Sequence, residues 1–139
     1  MNDRSDRAAS ESARRTPIEG ATGVQPAGSP ADVPADVALE TIYVIEATYA
    51  PDAAELRRPV RAEHLARIAA LRDAGVILEG GGFADLSGSL LLVRAPDEAA
   101  ALEIAWTDVY LRAGVWTEVR CRPFARVVRP GEPSQARPA

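Results

Sequence analysis

Lysine is missing from this chain: all sixteen basic residues are arginine. That excludes a Schiff-base lysine and the lysine of a phosphate-binding loop. A strong codon bias accounts for the pattern without any functional demand. Cysteine occurs once, at Cys121, so neither an internal disulfide nor a cysteine-only metal site can form. Histidine also occurs once, at His64. A zinc site would need two carboxylates beside these two residues, and no spacing supplies them, so no metal is expected. No serine sits in a nucleophile-elbow glycine pattern, which leaves Ser-His-Asp chemistry unsupported.

Long apolar runs are lacking too. Nothing approaches the ~20 residues of a membrane span, and the opening Met-Asn-Asp-Arg-Ser-Asp-Arg leads into no signal-length apolar stretch. No membrane partner and a cytoplasmic location are the expectations. Basic surplus is absent as well. Residues 1–40 hold four Arg against seven acids, and residues 41–129 hold eleven against twelve. With a net charge of -4 the chain cannot neutralise a run of phosphates, so no nucleic-acid partner is expected.

What is present is a core. The 139 residues are 47% hydrophobic, enough for one globular domain. Residues 1–40 are rich in Ala, Ser, Pro, Gly and charge, and read as a disordered N-terminal arm. Residues 130–139 read as a disordered tail. The folded domain is expected over 41–129.

Within it, Thr41 to Tyr49 carries the β-branched and aromatic residues of a strand, broken by Pro51-Asp52. A loop holding Arg57, Arg58 and Pro59 leads to a helix from Arg61, stopped by Gly75. At about 100° per residue, Leu65, Ile68 and Leu71 form one apolar stripe of that helix. His64 falls inside the stripe, with Arg61 one turn earlier on the same side. Val76 to Phe83, with Gly80-Gly81-Gly82, is a second strand; Ala84 to Gly88 is a turn. Ser89 to Arg94 is a third strand, whose consecutive apolar residues imply burial on both faces. Pro96-Asp97-Glu98 opens a second helix with Ala99, Leu102 and Trp106 inward, ending near Thr107-Asp108. Val115 to Val128 is a final strand. Its even positions, Trp116, Glu118, Arg120, Arg122 and Phe124, mix charge with aromatics, as a cavity or interface lining would.

The order β-α-β-β-α-β is the ferredoxin-like α+β arrangement, two helices on one face of a four-stranded antiparallel sheet. About 90 folded residues would leave the other face uncovered. A homodimer through the sheet face, a dimeric α/β barrel, is therefore expected.

Five motifs in order give a resemblance. Arg61-x-x-His64-Leu65, Gly80-Gly81-Gly82, Gly88-Ser89-Leu90-Leu91, Asp108-Val109-Tyr110 and Arg122-Pro123-Phe124 together resemble the YciI-like family, small dimeric α/β-barrel proteins related to muconolactone isomerase. The match spans about residues 41–129. Gly82 and Val109 stand where the family has prolines. The resemblance implies a pocket for a small molecule, with His64 and Asp108 as a proposed catalytic pair. One such relative is a dehydrochlorinase of a chlorinated hydroxyhydroquinone, and others in the wider fold isomerise lactones or oxidise small aromatics.

On this reading His64 is a general base or acid, since an unperturbed imidazole suits proton transfer at neutral pH. Asp108 holds its other nitrogen. The same pair could equally be a satisfied core histidine docking two elements. Arg61 would bind an anionic or phenolate oxygen, or else pair with Glu55 or Glu63 at the surface. Ser89 and Tyr110 could hydrogen-bond a substrate or serve as structural hydroxyls. Gly81, with its flanking glycines, could let a ligand approach the backbone or could mark a bulge. Two function classes follow. One is a lyase or isomerase that needs no cofactor, moving a proton on a small oxygenated or aromatic substrate. The other is a non-catalytic ligand-binding or dimerisation module with a structural His-Asp contact.

Overall fold

The computed structural model of the protein describes residues 32–132. The expected disorder of residues 1–31 and 133–139 lies outside them. Eight elements follow in order: β1 (Ala38–Tyr49), α1 (Ala53–Leu56), α2 (Arg61–Asp73), β2 (Ile77–Gly82), β3 (Gly88–Val93), α3 (Glu98–Trp106), α4 (Val109–Arg112) and β4 (Trp116–Val128). The four strands form one sheet in the order β2-β3-β1-β4, with β3 antiparallel to both β1 and β2. This is the ferredoxin-like α+β topology that the hydrophobic pattern predicts.

Thr41–Phe124 is one compact unit; the described flanks, 32–40 and 125–132, belong to another. In the flanking unit Arg126 donates to Glu40 at 2.9 Å and also pairs with Glu132. Glu132 accepts from the Arg129 amide at 3.0 Å. These contacts correct two expected boundaries. The arm is ordered strand from Ala38, and the chain is still anchored at Glu132. Here the charges of Glu40 and Glu132 pair with Arg126.

In the main unit the odd positions of β1, Ile45, Ala47 and Tyr49, join Leu91 and Val93 of β3 in the core beneath the helices. Pairing of Ile45 with Leu91 and of Ala47 with Ser89 sets that register. The opposite sheet face holds Val44 and Glu46 beside Leu92 and Leu90. Arg120 reaches Thr48 Oγ1 at 3.2 Å and Arg122 reaches Glu46 at 3.4 Å, which places the charged positions of β4 on this face. Trp116 does not share it: at the entry of β4 it is 2% exposed and part of the core.

Both longer helices end and begin on readable signals, yet their inward faces differ from expectation. Asp97 caps α3, accepting from the Ala100 amide at 2.8 Å. Gly75, at φ 80°, closes α2, with Val76 N–H bonded to Leu71 O and Gly75 N–H to Arg72 O. The buried residues of α3 are Ala101 and Ala105, whereas Trp106 is 54% exposed and Ala99 lies outside. Small side chains let α3 lie close to the sheet, so the large residues misstate its phase. On α2, Ile68 and Leu71 pack against the core, but Leu65 is half exposed. The irregularity in β2 lies between Ile77 and Glu79, not at the glycines.

Candidate functional site

His64 is the one buried residue of α2. It meets Asp108, which lies between α3 and α4 and is fully buried. The short α4, unread in the sequence, begins here because the Asp108 side chain caps it: Oδ1 accepts from the Tyr110 amide at 2.8 Å. The same Oδ1 lies 2.7 Å from His64 Nδ1, and Arg67 Nη1 donates to Oδ2 at 2.8 Å. Arg67 also donates to Thr107 Oγ1 at 2.8 Å. It sits three residues after His64 on the same helix, which lets both reach Asp108 from one side.

Burial pushes the Asp108 carboxyl up. Hydrogen bonds from His64 and the Tyr110 amide, with the charges of His64 and Arg67, outweigh it and hold the pKa below the usual carboxylate value. Asp108 is therefore an anion at neutral pH and can only accept. His64 Nδ1 must carry the hydrogen of their bond. In the neutral ring this puts the lone pair on Nε2, which has no hydrogen-bond partner among the described residues.

Two aromatics fix the ring plane. Tyr110 stacks on the imidazole at 3.6 Å and 9°, and Trp116 meets it edge-on at 5.6 Å. Tyr110 and Trp116 are themselves edge to face at 5.8 Å.

Beside this cluster is a cavity of about 340 Å³, lined by His64, Arg57, Arg61, Tyr49, Ser89 and Tyr110 among others. Gly80 to Gly82, Phe83, Ala84 and Leu86 complete its rim, and no Asp or Glu lines it. Leu86 is the one non-glycine residue with positive φ among those described, at 63° in the β2–β3 turn. Arg61 faces this space and the Tyr110 hydroxyl rather than a surface acid. Glu55 is instead 3.8 Å from Arg58, and Glu63 is 4.0 Å from Arg112. Arg57 joins Arg61 through α1, a turn of helix hidden in what reads as a loop.

The six residues singled out from sequence thus come together: His64, Asp108, Arg61, Ser89, Tyr110 and Gly81. Asp108 stands behind His64, and the other five line the cavity. Ser89 is tied into the protein, donating to Tyr49 Oη at 3.1 Å and accepting from Trp116 Nε1 at 3.2 Å. A Cβ at Gly81 would meet nothing within 4 Å, so that glycine leaves open room. Gly80 and Gly82 differ: a Cβ would lie 2.8 Å from Leu91 Cδ2 and 2.9 Å from Tyr49 Oη respectively. Among the described residues no cluster of three or more His, Cys, Asp or Glu could hold a metal ion. No helix among them is long and apolar enough to cross a membrane.

The model of the YCII-related domain matches residues 41–125, the span that builds both sheet and cavity. The chain belongs to the YCII-related family. Protein YciI of Escherichia coli O6:H1 is 35% identical over 96 residues, covering 62% of this chain and 98% of that protein. A Haemophilus influenzae protein is 33% identical over 95 residues, 61% of this chain and 97% of its own length. Among solved structures, the fold is similar to 5-chloro-2-hydroxyhydroquinone dehydrochlorinase from Burkholderia phenoliruptrix AC1100, in complex with 2,5-dihydroxybenzoquinone. The TM-score is 0.50 at 22% identity, over 58% of this chain and 90% of that one. Family membership and fold thus rest on the same 85-odd residues that carry the site.

Proposed function

We propose that this YCII-related protein binds a small, oxygenated, anionic or aromatic molecule and acts on it as a lyase or isomerase that needs no cofactor. His64 is the general base, and Asp108 holds it in the tautomer that frees Nε2. One observation carries the reading: a histidine anchored at Nδ1 by a buried carboxylate lines a cavity rich in arginine and lacking acids. A purely structural histidine would use both nitrogens or face packed side chains. The ~340 Å³ of space suits a single ring with a few oxygens. Arg57 and Arg61 supply the positive field an anion needs. A fold neighbour that dehydrochlorinates a hydroxyhydroquinone suggests the first substrates to try.

The test is turnover by wild type and His64→Gln, monitored as chloride release from 5-chloro-2-hydroxyhydroquinone and as absorbance change on unsaturated lactones. The variant should fold and bind as before while slowing by ~10²-fold or more, the loss expected of a general base. Full activity in a folded His64→Gln protein would falsify the enzyme reading and leave a binding module with a structural His-Asp contact.

The working assembly is further proposed to be a homodimer whose sheets cover one another. The support is the apolar face bearing Val44, Leu90 and Leu92, opposite the side that packs on the helices.

A further inference from the structure

We infer that Tyr49 and Tyr110 form a pair of phenolic donors aimed at one ligand oxygen, an oxyanion site in the cavity that His64 lines. The inference rests on the reading of the cavity as a ligand site and names the device that would receive negative charge there.

Hydrogen-bond direction carries the argument. Indole N–H can only donate. Trp116 Nε1 gives its hydrogen to Ser89 Oγ at 3.2 Å, and the Ser89 hydroxyl gives its single proton to Tyr49 Oη at 3.1 Å. With the proton placed this way, Tyr49 Oη accepts from the protein and keeps its own proton unspent, with no acceptor for it other than Ser89 among the described residues. Tyr110 is similar: no hydrogen bond among the described residues spends its phenol proton, and the Arg61 guanidinium lies near enough to draw its pKa down.

The two rings lie edge to face with centroids 6.4 Å apart, and both line the cavity that His64 lines. Tyr49 and Tyr110 are 8% and 1% exposed, so water competes poorly for their hydroxyls. Burial, with the neighbouring Tyr49 phenol, pushes the Tyr110 pKa up despite the opposing pull of Arg57 and Arg61. Tyr110 therefore stays a neutral donor across the physiological range. Gly82 has a matching role: any side chain there would crowd Tyr49 Oη, and glycine leaves the hydroxyl in place. Ser89, expected from sequence to touch substrate, is on this view a positioning residue that orients Tyr49.

The site fits a proton abstraction next to a carbonyl. His64 Nε2 takes the proton of the C–H bond. The C–H electron pair becomes a carbon–carbon double bond, and the carbonyl π pair moves onto oxygen as an enolate. That oxygen receives the two phenolic hydrogen bonds. The enolate then either regains the proton from His64 at the far end of the conjugated unit, giving an isomer, or expels a β leaving group as an anion, giving an elimination product. Preorganised donors of this kind act where charge develops, and losing one typically slows the step ~10²–10³-fold.

The probe is 4-nitrophenol, whose phenolate oxygen stands in for the enolate and whose visible band reports its protonation and hydrogen bonding. Calorimetry and difference spectra on the full chain should show that wild type takes up the phenolate form. Tyr49→Phe should weaken it about tenfold, the scale of one charge-assisted hydrogen bond, and shift the bound band back toward free phenolate. The direct companion measurement uses wild type labelled with ¹³C at tyrosine Cζ, where probe binding should move the Tyr49 and Tyr110 signals together. If wild type binds but Tyr49→Phe matches it in affinity and spectrum, or the Tyr49 signal stays still at saturation, the donor pair is refuted while the cavity reading stands. If wild type binds no phenolate at all, both fall.

Discussion

Asp108 satisfies three neighbours with one carboxylate: the His64 ring, the Arg67 guanidinium and the Tyr110 amide. Removing its charge leaves the part-buried Arg67 and the His64 ring without their anion, so Asp108→Asn should cost about 2–3 kcal/mol at neutral pH. The pH dependence has a definite sign. The folded pKa of Asp108 lies below its ordinary value, so the stabilisation is complete above the unfolded pKa of about 3.9 and fades as pH falls through the folded one. Urea unfolding of both proteins should show their gap narrowing below about pH 4. A constant gap down to pH 2 would mean that the carboxylate charge is not what Asp108 contributes. At this scale the sequence exposed His64, alone of its kind on an apolar stripe, and Arg61 one turn away. Arg67, Arg57 and Tyr49 were hidden because each is an ordinary residue type whose role depends on a partner distant in the chain. Arg67 and Asp108 are 41 positions apart, Ser89 and Tyr49 are 40, and no local pattern encodes such meetings.

Helix caps and the end of β1 were legible because their signals are local: Asp97 before α3, Gly75 after α2, Pro51 after β1. The inward face of α3 was not. Its buried positions are alanines, Ala101 and Ala105, each at 0% exposure, and periodicity weighted by large residues points to Trp106 instead. Close helix–sheet packing leaves no space for branching there. Ala101→Leu should therefore destabilise the fold by about 1–3 kcal/mol through overpacking, read as a lower denaturation midpoint at unchanged slope. No loss would mean that α3 stands further from the sheet. The single turns α1 and α4 were read as loop because four residues carry no amphipathic period. Both matter to the site nonetheless, one leading to Arg57 and the other capped by Asp108.

On the scale of the molecule, the order β-α-β-β-α-β was plain from alternating patterns, and sheet order followed from it. The sheet face holding Leu90, Leu92, Glu46, Arg120 and Arg122 is the proposed place for a second copy. Light scattering at micromolar concentration should give twice the chain mass of 14.8 kDa. Leu90→Arg, which introduces a charge beside Leu92 on that face, should shift the equilibrium toward monomer; a wild type already monomeric would remove the dimer from the account. The arrangement of the two tryptophans has an optical consequence. Trp116 is sealed against the imidazole and a phenol ring, while Trp106 stands in solvent. The chain thus carries two emitters of different colour. A dissolved quencher dims the red-shifted one and spares the blue, and the blue one adjoins the hydroxyls that border the cavity. Intrinsic fluorescence offers a label-free gauge of occupancy, usable before any substrate has been named.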